Sequence, residues 1–429
     1  MPKESLREKQ LKKIGAEIGD TLRIKDDRMI YEGILMPHHE FSNKDVIVLK
    51  LKNGYNVGVK VSKDTIIEVM AKAEKIKHKA TRNVPFDPKK PSVSILGTGG
   101  TIACYVDYRT GAVYPATSAE DLAFSVPEVF DICNVKARVV FQLLSENITI
   151  ENWQTLAEEI AEEFNKNKVN GVVVPHGTDT MGYTAAALSF MLKNLTGPVV
   201  LVGAQRSSDR PSSDAAQNLL DAANVAANSD IGEVVVVMHG EISDSFTTIH
   251  RGTKVRKMHT SRRDAFQSIN SEPIGIVSDG NIKTVSNYRK KTTGRVEVDA
   301  TMEKDVALVY FYPNMRPEDI PNKKGIVLIG TGLGHVSKPL YSKIKKLIEN
   351  GSTIVMTSQC IHGRINMNVY ATGRDLLKLG VIPGEDMLPE TAYVKLMWVL
   401  AHAKNQEEIR RLMLTNIAGE ISERTIYND

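Results

Sequence analysis

The chain has 429 residues, of which 42% are hydrophobic and 25% charged, and 55 basic side chains face 51 acidic ones for a net charge of +4. That length supports two or three domains at roughly 100–200 residues each, and so even a balance neither demands nor excludes a nucleic-acid partner. Cys104, Cys133 and Cys360 are odd in number and widely spaced, which argues against a disulfide framework or a zinc site.

No apolar run approaches the ~18 residues that a bilayer span needs. The N-terminus lacks the apolar stretch of a secretory signal, so a cytoplasmic protein with no membrane contact is expected. Basic residues gather at Lys3, Arg7, Lys9, Lys12 and Lys13 and again across Lys72 to Lys90. Solvated helix faces account for such runs more readily than nucleic-acid contacts do.

After a short charged helix, residues 19–70 alternate polar and apolar positions, as in Gly19 to Ile24 and Val46 to Leu51. Asn53-Gly54 is a tight-turn pair, and Val57 to Val61 follows it. Several short strands in so little chain predict a small β-barrel docking domain over residues 1–78. A charged helix from Ala71 to Lys79 and the prolines Pro85, Pro88 and Pro91 suggest a linker, placed at 79–91.

From Val93 the rhythm changes. Val93 to Leu96, Val139 to Phe141, Val172 to Val174, Val199 to Val202 and Val234 to Val237 fit strands buried on both faces. Between them, Trp153, Leu156, Ala157, Ile160 and Phe164 recur at helical spacing, with Glu158, Glu159, Glu162 and Glu163 expected to face water. Met181, Thr184, Ala185, Leu188, Met191 and Leu192 form a second helical stripe. This alternation predicts a doubly wound α/β domain over 92–290. The polar stretch Asn287 to Lys304 separates it from a smaller α/β domain at 305–429, whose strands are expected around Val306, Ile326 and Thr353.

The first strand of the large domain runs into Gly97-Thr98-Gly99-Gly100-Thr101-Ile102. Its glycines let the backbone turn sharply beside a ligand. Ile102 stands where a dinucleotide fingerprint needs glycine, which weakens a nicotinamide reading. A second strand ends in Pro175-His176-Gly177-Thr178-Asp179-Thr180. Taken alone, that hydroxyl–carboxylate cluster could simply cap the next helix through Thr180 or Asp179. His176 has no second metal ligand at a useful spacing and is expected to be a packed histidine.

Together, GTGGTI and HGTDTM resemble the paired threonine motifs of the L-asparaginase family, with the resemblance covering roughly residues 92–429. It implies a two-domain α/β fold with mainly parallel sheets. It places the nucleophile or its equivalent at Thr101 and a Thr–Asp pair at Thr178 and Asp179, with Gly100 and Gly177 beside the substrate. A family lysine nine residues before a phenylalanine falls on Lys257, ahead of Phe266, with Lys254 and Arg256 as close rivals. Ser145 and Glu146 would hold the substrate's α-amino and α-carboxyl ends. Tyr105, Tyr108 and Tyr114 lie in the loop that supplies the family's tyrosine, and Tyr114 is preferred.

A threonine hydroxyl needs an adjacent base to become a nucleophile. A Thr178–Lys257–Asp179 relay can accept the proton, and backbone N–H groups at the strand ends can hold the oxyanion. This route requires no metal or organic cofactor in the chain. Which threonine attacks first stays open; Thr101 is assigned to the acyl intermediate and Thr178 to activation.

The string Gly19-Asp20 through Gly58 and the segment Asp107 to Ala116 are similar to the glutamine-hydrolysing subunits of archaeal glutamyl-tRNA(Gln) amidotransferases. That resemblance implies glutamine as substrate and ammonia delivered to a separate polypeptide, the amidotransferase's E subunit. The E subunit would use ATP and Mg to convert Glu-tRNA(Gln) to Gln-tRNA(Gln). The resemblance also implies a homodimer within a heterotetramer. The chain carries no GxxxxGK[ST] loop of its own. The rival readings are a free-standing cytoplasmic L-asparaginase and a non-catalytic RNA- or protein-binding scaffold.

Overall fold

The computed structural model describes residues 5–25, 29–36, 44–51, 56–72, 86–99, 104–107, 112–115, 126–206 and 213–425. A helix, Leu6–Lys13, opens the chain. Ser5 Oγ accepts the Glu8 N–H and the Glu8 carboxylate accepts the Ser5 N–H, which closes a capping box. Five strands follow: β1 (Thr21–Lys25), β2 (Ile30–Leu35), β3 (Val46–Leu51), β4 (Asn56–Lys60) and β5 (Ile66–Ala71). They form one antiparallel sheet in the order β4-β3-β2-β1-β5. Strand alternation turns Leu22, Ile24, Leu35, Ile47, Leu49 and Val59 to a common buried face. The helix expected from Ala71 onward falls, beyond the end of β5, almost wholly outside the described residues.

The second unit is built on β6 (Ser92–Gly97), the hairpin β7 (Cys104–Asp107) and β8 (Ala112–Pro115), β9 (Asn134–Val139) and β10 (Gly171–Pro175). It continues through β11 (Leu192–Lys193), β12 (Val199–Val202), β13 (Val234–His239), β14 (Thr247–Arg251), β15 (Val255–Lys257), β16 (Phe266–Ser268), β17 (Gly275–Ser278) and β18 (Asn281–Thr284). Eight of these make a sheet ordered β18-β17-β14-β13-β12-β10-β6-β9. The half from β9 to β13 is parallel and the remainder antiparallel. The sheet is therefore mixed, since the chain returns from β13 by an antiparallel strand.

Alternation along the parallel strands sorts their side chains into two cores. Val172, Val174, Val199, Leu201 and Val236 pack with the helices Ile150–Asn165 and Met181–Met191. Val93, Ile95, Val173, Val200 and Val237 pack with the helix Ala215–Asn228. Both faces are covered, which is why these strands read as unbroken apolar runs. Glu163 corrects the expectation that its helix's glutamates all face water. It is buried, and its carboxylate accepts from Ser94 Oγ at 2.6 Å and from Arg138 Nε at 3.2 Å.

From β6 the chain goes outward to β9, then crosses back to lay β10 on the other side of β6. The strand order thus reverses between β6 and β10, where open α/β sheets leave a crevice beyond their carboxyl ends.

The third unit follows β19 (Glu297–Val298), which pairs antiparallel with β11. Its strands β20 (Val306–Tyr310), β21 (Gly325–Gly330), β22 (Thr353–Ser358) and β23 (Ile382–Pro383) form a parallel sheet in chain order. Its helix Pro389–His402 contributes Ala392, Leu396 and Met397 to the same core as Ala185 and Leu188 of the second unit, and Trp398 stacks on Phe190 at 6.5 Å. No helix among the described residues is long and apolar enough to cross a membrane.

One buried charge pair closes this unit. Lys395 and Glu420 have fully buried side chains and meet at 2.6 Å. Lys395 Nζ also donates to Met413 O at 2.9 Å and Thr415 O at 2.6 Å. Removing one partner would strand the other in low dielectric. Glu420→Ala is expected to lower stability by about 3–5 kcal/mol, as read by chemical denaturation, since it also takes the acceptor from the Ile417 and Ala418 N–H groups.

Candidate functional site

The carboxyl ends of β6 and β10 are bonded to each other. Thr98 donates its N–H to Pro175 O at 3.2 Å and its hydroxyl to the same oxygen at 2.9 Å. Gly99 then turns with φ of 115°, and a Cβ there would meet Leu143 O at 2.1 Å. Only glycine allows the chain that close. Gly100 and Thr101, the next residues, lie outside the described residues, as does Tyr108. Tyr105 and Tyr114 oppose each other in the β7–β8 hairpin, but their side chains also lie outside the description.

The second motif is described throughout. Lys257 Nζ lies 2.9 Å from Thr178 Oγ1 and 2.8 Å from Asp179 Oδ1. Lys257 comes from the short hairpin of β15 and β16, in which it faces Phe266. Its side chain is 16% exposed, whereas that of Asp179 is 70% exposed. The two rival cations point elsewhere. Lys254 Nζ is paired with Asp386 at 2.7 Å, and Arg256 with Glu390 at 3.2 Å. Of the three basic residues, Lys257 is the one brought to the Thr–Asp pair.

Ser145 opens a short 3-10 turn, Ser145–Asn147, against the same strand tip. A Cβ on Gly177 would lie 2.8 Å from Ser145 Cβ and 3.0 Å from its Oγ, so the absent side chain at Gly177 is what lets the two segments touch. Glu146 beside it is exposed. Thr180 occupies the N-cap position of the helix Met181–Met191 yet makes no capping bond. Its hydroxyl donates instead to Ser145 O at 2.7 Å. The motif's hydroxyls and carboxylate thus tie loops together and meet an amine, and the simple capping alternative is set aside.

His176 is buried and fully engaged. Its Nδ1 lies 2.7 Å from Gly177 O, and because a carbonyl only accepts, that nitrogen carries the proton. Nε2 accepts from Thr184 Oγ1 at 2.9 Å, and Thr184 in turn accepts the Trp153 indole N–H at 3.0 Å. Burial pulls the imidazole down to about 4, against the opposing effect of its bond to Gly177. His176 therefore stays neutral and fixes the Gly177 carbonyl.

Sequence reasoning missed a third strand tip. His176 N–H donates to Val202 O at 2.9 Å, so the loop Gly203–Arg206 leaves β12 next to the second motif. Asp214, fully buried, holds this loop through Gln205 N–H at 3.0 Å and Arg206 N–H at 2.9 Å. Asn218 Nδ2 adds a bond to Gly203 O at 2.9 Å. The signal was present: Gly203 directly follows the apolar run Val199 to Val202, at the same end of the sheet.

Chemically, the arrangement offers an amine beside a hydroxyl, a carboxylate to orient the amine, and backbone N–H groups at convergent strand ends. With the amine unprotonated the Thr178 contact runs in reverse, the hydroxyl donating to Nζ. A doubly wound sheet presenting this set at its switch point, backed by a second parallel α/β unit, defines an amidohydrolase of the asparaginase type.

The comparisons agree with that class. Residues 92–290 match the family Asparaginase, N-terminal, and residues 305–413 match Glutaminase/Asparaginase C-terminal domain. Residues 16–70 match GatD N-terminal domain. The thermostable L-asparaginase from Thermococcus kodakarensis superposes with a TM-score of 0.69 at 33% identity, covering 78% of this chain and 100% of that one. The D subunit of the glutamyl-tRNA(Gln) amidotransferase of Pyrococcus furiosus is 55% identical, with 98% of each chain covered. Its counterpart in Pyrococcus abyssi is 53% identical over 97% of this chain and 98% of its own. The chain belongs to the family of glutamyl-tRNA(Gln) amidotransferase D subunits.

Two outcomes follow from the geometry. Gly177→Ala is expected to push Ser145 aside and to lower stability by about 1–3 kcal/mol, read by urea denaturation. The second concerns pH. Below about 6.5 an unfolded chain takes up a proton at His176, but the folded chain does not until about 4. Stability should fall as pH drops through that window. His176→Gln should make the fall shallower in urea denaturation series between pH 7 and 4.

Proposed function

We propose that this chain hydrolyses glutamine to glutamate and ammonia and supplies the ammonia to a partner, the amidotransferase's E subunit, which converts Glu-tRNA(Gln) to Gln-tRNA(Gln) with ATP and Mg. The names of its relatives and the asparaginase-type architecture support the amidotransferase setting. The observation that carries the hydrolytic reading is the Lys257 amine lying within hydrogen-bond distance of both Thr178 and Asp179.

In this reading Thr101 Oγ attacks the side-chain carbonyl carbon of glutamine. Thr98, three residues before Thr101, is bonded to Pro175, three residues before Thr178, and this supports a shared pocket for the two hydroxyls. Thr178 and Lys257 accept the proton lost in the attack, with Asp179 orienting the amine. Backbone N–H groups at the strand ends hold the tetrahedral oxyanion. The proton returns to the amide nitrogen, ammonia leaves, and water attacking by the same relay releases glutamate. Ser145 and Glu146 hold the α-amino and α-carboxyl ends, with Gly100 and Gly177 beside the substrate, and Tyr114 closes the site from its hairpin. No cofactor in this chain enters the sequence of steps.

The same reading assigns residues 1–78 to a small barrel for docking, 79–91 to a linker, 92–290 to the catalytic unit and 305–429 to the smaller α/β unit. It places the chain in the cytoplasm as a homodimer within a heterotetramer.

The deciding measurement is glutamine hydrolysis by the chain alone, with the E subunit, and with both the E subunit and Glu-tRNA(Gln). A large rise in the complete mixture is expected, whereas vigorous asparagine turnover without partners would point to a free-standing asparaginase. In the complete mixture, Lys257→Met and Thr178→Val should each lower kcat by roughly 10²–10⁴-fold. If Thr101→Ala and Thr178→Ala both left hydrolysis intact, the catalytic reading would be wrong.

A further inference from the structure

The strand that delivers Lys257 is fastened, residue by residue, to the C-terminal unit. Thr253 donates its hydroxyl to Ala418 O at 3.0 Å, and its own carbonyl accepts from Thr391 Oγ1 at 2.9 Å. Lys254 and Asp386 pair at 2.7 Å with side chains 0% and 2% exposed. Arg256 reaches Glu390 at 3.2 Å, with side chains 34% and 19% exposed. Strand alternation explains the division of labour. Lys254 and Arg256 point one way, into the C-terminal unit, while Val255 enters the core of the second unit and Lys257 enters the site.

The other side of the lysine contact leans on the same support. Glu390 and Thr391 lie in the first turn of the helix Pro389–His402. The helix Met181–Met191, which begins right after Thr178, Asp179 and Thr180, packs across it, with Tyr183 and Tyr393 edge to face at 6.4 Å. One helix of the C-terminal unit therefore serves as a common reference for the amine and for the hydroxyl it must meet. Glu390 Oε2 is buried with no hydrogen-bond partner among the described residues, which leaves Arg256 as the contact that fixes this carboxylate.

We infer that Arg256 and Glu390 are positioning residues for the hydrolysis, holding β15 against the helix Pro389–His402 so that Lys257 Nζ stays on Thr178. The inference rests on the reading that Lys257 acts in the reaction. Misplacing a reacting group by about 1 Å can cost on the order of 10²-fold in rate, so a partly exposed ion pair one residue away has leverage out of proportion to its effect on stability. A lysine at position 256 keeps the positive charge that faces Glu390.

The test uses the full chain in its complete assembly with the E subunit and Glu-tRNA(Gln), and measures kcat and KM for glutamine together with the melting temperature. Arg256→Met and Glu390→Gln are expected to lower kcat about tenfold with KM held within about twofold. Arg256→Lys should restore most of the rate, and the double variant Arg256→Met/Glu390→Gln should be no worse than either single. A fall in melting temperature with kcat unchanged would make the pair merely structural and overturn the inference. So would additive losses, or a failure of Arg256→Lys to restore the rate. Lys257→Met run in parallel separates the two readings. If it retains activity, the catalytic assignment itself fails; if it is inactive while Glu390→Gln is normal, only the positioning role fails.

Discussion

One amine touches two side chains from a distant part of the chain, and the path of the chain between them organises the site. Thr178 and Asp179 sit at the end of a central parallel strand, while Lys257 arrives on a short hairpin after the sheet has turned antiparallel. A purely parallel continuation from β13 would carry the chain around a crossover helix. The antiparallel β14 instead brings it back across the sheet, and β15 follows within a few residues. β14 runs from Thr247, opposite His239 at the tip of β13, to Arg251, opposite Val235, so it is β15 that turns the chain back and returns the lysine to a strand tip built earlier.

Around this contact the protein buries several polar groups against one another. His176 links Gly177 to Thr184 and Trp153, Asp214 gathers two backbone N–H groups of the neighbouring loop, and Thr98 ties one strand end to the next. None of these would favour folding over a well-packed apolar alternative, because the net gain from a hydrogen bond is only about 1 kcal/mol and desolvation opposes it. What they do is allow a single arrangement of three loops. Each bond also uses up a polar group that would otherwise draw water into the crevice.

Much of this was legible in the sequence where a local pattern and a tertiary role coincide. The apolar runs from Val172 and Val199 became buried central strands, because covered faces leave no polar alternation to misread. Trp153, Leu156 and Ile160 were legible for the same reason. What escaped were side chains whose partners lie far away. Glu163 reads as a solvent-facing glutamate until Ser94 and Arg138 come alongside. The spacing to Phe266 already put Lys257 ahead of Lys254 and Arg256, but the different carboxylates that the three meet are set by distant parts of the chain. The strand expected at Val139 to Phe141 runs instead over Asn134–Val139, its boundary set by pairing with β6. Thr180 looks like a cap from its neighbours alone, and Ser145 supplies the acceptor that makes it something else.

The closing segment of the chain has a consequence for how the protein comes into being. Ala418 accepts the hydroxyl of Thr253, Ser422 N–H meets Asp386, and Glu420 supplies the counter-charge for Lys395. On a ribosome these residues emerge long after the strand tips have been made. Until they arrive, an ammonium is left without its counter-ion and the lead-in to β15 without one of its ties. This late segment therefore supplies both the counter-charge of Lys395 and one of the ties that hold the lead-in to β15.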